Sequence, residues 1–149
     1  MPPFLPNGNL PLGIYTASWP EMVTRFGWNA HRLRLLAGLQ AALVSLRHAG
    51  CRAVYLDGSF VTTKEAPEDF DGCWDVTGVD AALLDPVLLD FADQRSAQKA
   101  KFGGELFPAQ LPEGQSGMRF LEFFQLDRET GMAKGIVVID LGDWVEVVG

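Results

Sequence analysis

Two aspartates separated by one residue, Asp69-Phe70-Asp71, are the part of this chain best suited to chemistry. In an extended backbone alternate side chains share a face, so both carboxylates point one way and Phe70 turns into the core. Their charges then lie about 7 Å apart, and at an effective dielectric near 20 they repel by about 2 kcal/mol. A divalent cation relieves that repulsion. Magnesium suits the task, because it is a hard ion commonly held by one or two carboxylates together with substrate phosphates. The plainer reading of two such acids is a solvated loop. Gly58-Ser59 lies upstream, at the end of a strand-like run. A Gly-Ser turn in that place leaves backbone N–H groups and a hydroxyl open to the oxygens of a triphosphate, although it also has the form of an ordinary turn.

Charge is concentrated where these residues fall. The chain of 149 residues carries a net charge of -7, and the window from Asp57 to Asp75 holds six acids (Asp57, Glu65, Glu68, Asp69, Asp71 and Asp75) against Lys64 alone. An acidic chain is poorly suited to non-specific DNA binding, which depends on Lys and Arg displacing counterions from phosphates. A nucleotide delivered with magnesium meets no such objection. Cys51 and Cys73 sit in strand-like surroundings as small hydrophobes, and with His31 and His48 they show no metal-ligand spacing. A disulfide framework is not expected, and a reducing cytoplasmic setting fits. No apolar run approaches the roughly 20 residues that span a bilayer, and the first residues, with three Pro in six and no basic start, are not expected to act as a leader.

The elements that must position the acids follow from the pattern around them. Residues 1–20, rich in Pro and Gly but studded with Leu5, Leu10, Leu12, Ile14 and Trp19, read as an extended arm packed on the core. Pro20 and Glu21 open a short helix to about Phe26, and Asn29 caps a second. In that second helix Leu33, Leu36, Leu39, Leu43 and Leu46 recur at helical spacing, and Gly50 follows its end. Arg32 and Arg34 read as surface or ion-pair residues. Cys51–Asp57 and Asp69–Val76 read as strands, and Trp74 in the second as a core residue in preference to a base-stacking one. Asp85-Pro86 opens further helix, continuing to about Lys101. Lys99 and Lys101 there suit a helix C-terminus, with a reach toward phosphates as the alternative. A third strand covers Phe102–Phe107, and Arg119–Leu126 with Lys134–Leu141 reads as a C-terminal β-hairpin. No linker or repeat divides the chain, so residues 1–149 are expected to form one α+β domain, a mixed sheet flanked by helices.

The combination of motifs resembles a known superfamily. Gly58-Ser59, nine intervening residues and Asp69-Phe70-Asp71 match the Gly-Ser, spacer, Asp-hydrophobic-Asp pattern of polymerase-beta-like nucleotidyltransferases. Over the whole chain, Leu10-Pro-Leu-Gly-Ile14, Tyr55-Leu-Asp-Gly-Ser-Phe-Val-Thr62, Pro67-Glu-Asp-Phe-Asp71 and Cys73-Trp-Asp75 resemble a family of short bacterial nucleotidyltransferase-like proteins. So do Gln98-Lys-Ala-Lys-Phe-Gly-Gly-Glu-Leu-Phe107, Phe120-Leu-Glu-Phe-Phe-Gln125 and Lys134-Gly-Ile136. The likeness implies a nucleotidyltransferase-like fold more directly than a reaction. It also implies that Asp69 and Asp71 hold magnesium, that Gly58 and Ser59 contact phosphates, and that a third carboxylate on a later strand completes the site. Glu105 is first choice for that carboxylate by element order, with Asp140 and then Glu122 as rivals. Three departures stand out: Asp57 before the Gly-Ser and Gly72 after the second Asp, where hydrophobic residues are usual, and Thr62-Thr63-Lys64 in place of a second glycine. Lys64 either substitutes a charge for that backbone contact or is a plain surface lysine.

Two functions fit these expectations. One is a metal-dependent nucleotidyltransferase with two magnesium ions that moves a nucleoside monophosphate from an NTP to a hydroxyl on a protein, an RNA end or a small molecule. The other is a non-catalytic nucleotide-binding or partner-binding module, as in a toxin-antitoxin or defence pair. Larger members of the superfamily add a helical domain that grips the acceptor, for which 149 residues leave little room. An acidic chain rich in aromatic residues also suits a homo-oligomer or a protein partner.

Overall fold

A computed structural model describes residues 1–113, 118–123, 125 and 134–142. Ser18 caps α1 (Trp19–Phe26) through a reciprocal pair of hydrogen bonds with Glu21, and the Asn29 side chain accepts from Arg32 N–H at the start of α2 (Ala30–His48). These caps stop and restart the chain at Gly27, so two helices form where one uninterrupted run would otherwise continue. The buried stripe of α2 comprises Arg32, Leu35, Leu36, Leu39, Ala42, Leu43 and Leu46. Leu33, expected on that stripe, is 46% exposed. It stands about 100° round the helix from Arg32, and it is Arg32 that the face buries.

Five strands form one mixed sheet in the order β1-β5-β2-β3-β4, built from β1 (Ile14–Ala17), β2 (Ala53–Asp57), β3 (Phe70–Trp74), β4 (Gly104–Pro108) and β5 (Ile136–Asp140). β1 runs parallel to β5 and β3 parallel to β4, whereas β2 is antiparallel to both of its neighbours. The parallel pairing of β3 with β4 needs a crossover, supplied by the 3-10 turn Pro86–Leu89, capped by Asp85, and α3 (Ala92–Phe102). Strand alternation then sorts the side chains. Val54, Leu56, Phe70, Trp74, Leu106, Val137 and Ile139 join the core with α1 and α2. Tyr55, Cys73 and Phe107 belong to a separate small cluster with Ala109, Phe120 and Leu121.

Two expectations need amendment. Ile14–Ala17, inside the expected extended arm, is an edge strand hydrogen-bonded to β5. Four residues of mixed polarity carry too little period-two signal to reveal it. The expected C-terminal hairpin also differs: Phe120–Phe123 is a helical turn, α4, and β5 takes its partners from β1 and β2. Residues 127–133, the expected turn of that hairpin, lie outside the described residues. Among the described residues no helix is long and apolar enough to cross a membrane.

Where α2 crosses the end of α3, Gly38 permits a backbone approach that no other residue allows. A Cβ there would lie 1.8 Å from the carbonyl oxygen of Phe102, which a side-chain adjustment cannot relieve. Gly38→Ala is therefore expected to destabilise the protein by about 2 kcal/mol through forced separation of the helices. Urea unfolding measures it, and a loss below about 0.5 kcal/mol would show that the helices part without strain.

Candidate metal centre

The acids converge because of strand register. β2 places Asp57 opposite Asp71 of β3, and β3 places Asp71 beside Glu105 of β4, so three carboxylates form a row across the sheet. All three lie on the face away from α1 and α2, since their neighbours Leu56, Phe70 and Leu106 are buried in the core. Asp69, at the entrance to β3, adds a fourth. Oxygens of Asp69, Asp71 and Glu105 lie within 4.8 Å of one another, and this triad can coordinate a metal ion. Its all-oxygen, all-carboxylate donor set selects hard divalent ions.

Glycine makes room for the carboxylates. Gly58 has φ +76°, and a Cβ there would stand 2.6 Å from Oδ2 of Asp71. The turn after β2 therefore needs glycine twice over, for its backbone conformation and for the space Asp71 occupies. Gly72 has a different reason: its Cβ would lie 2.2 Å from the carbonyl oxygen of Tyr55, so the hydrophobic side chain usual at that position does not fit. Ser59 opens the 3-10 turn Ser59–Val61, and its carbonyl accepts from the Thr62 hydroxyl at 2.7 Å. Lys64 lies on the exposed side of the same loop.

Charges around the triad are unevenly compensated. Arg95 Nε donates to Glu105 Oε2 at 2.6 Å, and Lys99 Nζ lies 3.8 Å from the same oxygen. Asp57, 5% exposed, pairs at 3.0 Å with Lys134, which precedes β5. Among the described residues no cation pairs with Asp71. Burial above all, then the charge of Asp69 and a hydrogen bond shared with Glu105, push the Asp71 carboxyl up to about 8. Asp69 is also raised, by burial and then by Glu105. Burial pushes Glu105 upward too, but the hydrogen bonds from Arg95 and Asp71 and the nearby cations outweigh it, so it titrates below the ordinary range. At neutral pH Asp71 therefore keeps its proton and shares it with Glu105. That proton occupies the centre that a metal would claim.

Arg95 reaches Glu105 from an unusual backbone. Asp93, Gln94 and Arg95 have φ of 50°, 53° and 61°, three successive left-handed residues at the head of α3. Without glycine this conformation costs about 1–2 kcal/mol per residue. The guanidinium also stands 5.6 Å from the centre of the Phe107 ring, itself stacked between Phe91 and Phe120.

Placement sorts the expected residues. Asp69, Asp71 and Glu105 come together beside Gly58. Asp140 pairs with Ala53 at the opposite end of β2, where its Oδ1 accepts from Gly142 N–H. Glu122 lies exposed on α4. Lys101 pairs with Asp85 at 2.5 Å, away from the triad, whereas Lys99 stands beside it. Trp74 is buried on the core side. Three participants escaped the sequence reading. Asp57 gave a signal, as an acid where an apolar residue is usual, and Lys134 stood in a quoted motif without a role, but Arg95 lies in a polar stretch that offers none.

A family described as one of unknown function (DUF6932) matches residues 2–140. Comparison with curated proteins and with solved structures gives no match.

Proposed function

We propose that this chain, which belongs to the DUF6932 family of unknown function, is a metal-dependent nucleotidyltransferase whose centre is Asp69, Asp71 and Glu105. The observation that carries the reading is the convergence of three carboxylates beside a glycine turn that leaves them room. The four-residue convergence of Gly58, Asp69, Asp71 and Glu105 also supports the resemblance of this site to nucleotidyltransferases. In the proposed reaction an acceptor hydroxyl attacks the α-phosphorus of a nucleoside triphosphate. The new O–P bond forms as the bond to the β-phosphate oxygen breaks, pyrophosphate leaves with that electron pair, and the hydroxyl proton passes to a carboxylate of the triad. Magnesium, as one ion or two, would supply Lewis-acid charge at the α-phosphate and lower the pKa of the attacking hydroxyl. Gly58 N–H and the Ser59 hydroxyl would hold phosphate oxygens, with Lys64 farther along the loop as an outer contact. A carboxylate set this close, with one member protonated, disfavours its own ionisation without a cation, which is why a metal-free structural role for all three explains less.

Manganese offers a direct test. Wild-type protein should bind Mn2+, read by electron paramagnetic resonance, and Asp69→Asn and Asp71→Asn should each weaken that binding by at least about tenfold. With magnesium and labelled NTPs, pyrophosphate release should disappear in both variants. Absence of Mn2+ binding in the wild type would refute the metal centre. Binding of Mn2+ and NTP without pyrophosphate release, across all four NTPs and candidate acceptors, would leave a nucleotide-binding module.

A further inference from the structure

Arg95 and Lys99 satisfy Glu105, yet the reaction proposed above gives them no part. Both reach the same Oε2, at 2.6 and 3.8 Å, so two cations stand against one edge of the triad. Neither is sealed in: their side chains are 31% and 37% exposed, against 14% for Glu105. Lys99 and, less strongly, Arg95 also ease the charge of Asp69, so both cations already serve two carboxylates of the triad. Part-exposed, they stand beside the place where a metal would bring an anionic substrate.

The geometry points to Arg95 and Lys99 as a polyphosphate subsite, in which the cations that hold Glu105 in the metal-free site turn onto substrate phosphates once a divalent ion takes that carboxylate. The inference rests on the metal-centre reading and extends it to the chain's own basic residues. A divalent ion on Glu105 would stand next to both cations and repel them. The oxygens that travel with the ion, on its phosphate ligands, would attract them instead. A guanidinium fork matches phosphate oxygens in pairs, whereas the ammonium of Lys99 serves as a point charge.

Two cations competing with the metal yet recruiting its partner predict opposite signs in one experiment. Mn2+ affinity is measured by electron paramagnetic resonance for the wild type, Arg95→Gln, Lys99→Met and Arg95→Lys, each checked by its thermal melt. Inorganic tripolyphosphate is then titrated onto each protein at saturating Mn2+ by calorimetry. Arg95→Gln should bind Mn2+ alone about threefold or more tighter, and tripolyphosphate about tenfold or more weaker, the value of one charge-assisted pair. Lys99→Met should shift both in the same directions by less, and Arg95→Lys, which keeps the charge without the fork, should restore only part of the tripolyphosphate affinity. If Arg95→Gln weakens Mn2+ binding, or leaves tripolyphosphate within twofold of the wild type, the subsite is refuted while the metal centre stands. If the wild type binds Mn2+ but no tripolyphosphate, the subsite is likewise refuted. A wild type that binds no Mn2+ overturns both readings.

Discussion

Replacing Arg32 by methionine is expected to destabilise the protein by about 4 kcal/mol, a loss on the scale of breaking a buried charged hydrogen-bond network. The guanidinium is 0% exposed and sits in the apolar stripe of α2. It donates to the carbonyls of Phe26 at 3.2 Å, Phe60 at 2.7 Å and Thr62 at 2.7 Å, and to that of Lys64 at 2.7 Å from one nitrogen and 3.0 Å from another. Its Cζ lies 3.7 Å from the Trp28 ring centre. Burial draws its pKa down to about 10, against a smaller opposing pull from Glu65, so it stays charged in the neutral range. Methionine matches the stem but leaves several carbonyls without a donor, each costing about 1–3 kcal/mol before the loop relaxes. All of those carbonyls except that of Phe26 belong to the segment that follows Gly58 and Ser59. The loss should therefore reach the metal centre as well as the melt. Arg32→Lys keeps the charge but lacks the fork, and should recover less than half of the stability. A urea midpoint for Arg32→Met corresponding to less than about 1 kcal/mol would show that water or rearranged backbone replaces the donors.

Arg32 also shows where sequence reading works on this chain and where it stops. An arginine beside Leu33, which was expected on the buried stripe, and near the start of a helix has the pattern of a surface residue, because burial of a cation depends on acceptors supplied mostly by a loop about thirty residues away. Asp69-Phe70-Asp71 was legible for the opposite reason. Strand alternation is local, so two carboxylates on one face and Phe70 in the core follow from the run itself. Glu105 lay between these cases: its strand could be read, but its place beside Asp71 depends on the parallel register of β3 with β4, set by the crossover. The rivals Asp140 and Glu122 could not be separated from it without that register. β1 was missed because an edge strand of four residues is defined by the partner it finds, β5. The departures in the motif acquired reasons only in three dimensions, with Asp57 paired to Lys134 and Gly72 pressed on the backbone of Tyr55.

Metal-free protein is expected to lose stability relative to Asp71→Asn as pH rises from about 5 to 9, by about 3 kcal/mol, or roughly 6–12 °C in melting temperature. Asp71 has its pKa raised in the folded state, from 3.8 to about 8, chiefly by burial and then by Asp69. Between those values the unfolded chain has lost this proton and the folded chain keeps it. Folding then binds a proton, so its stability falls as pH rises, and the decline ends above the folded pKa. The neighbouring Glu105 is lowered and contributes in the opposite sense, so the comparison with Asp71→Asn is needed to isolate the one group. The asparagine variant has no proton to lose at this position, and the difference between the two curves should widen steadily up to about pH 8. Saturating magnesium or manganese should close that gap in the wild type, since the ion replaces the proton among the same oxygens, and should leave Asp71→Asn little changed. Affinity for the ion should itself rise by up to about tenfold per pH unit below 8, with one proton released for each ion bound. Parallel melting curves for the two proteins across this range would mean that Asp71 is already ionised in the folded state. A divalent ion that stabilised both proteins equally would place its binding elsewhere than the row of Asp71 and Glu105.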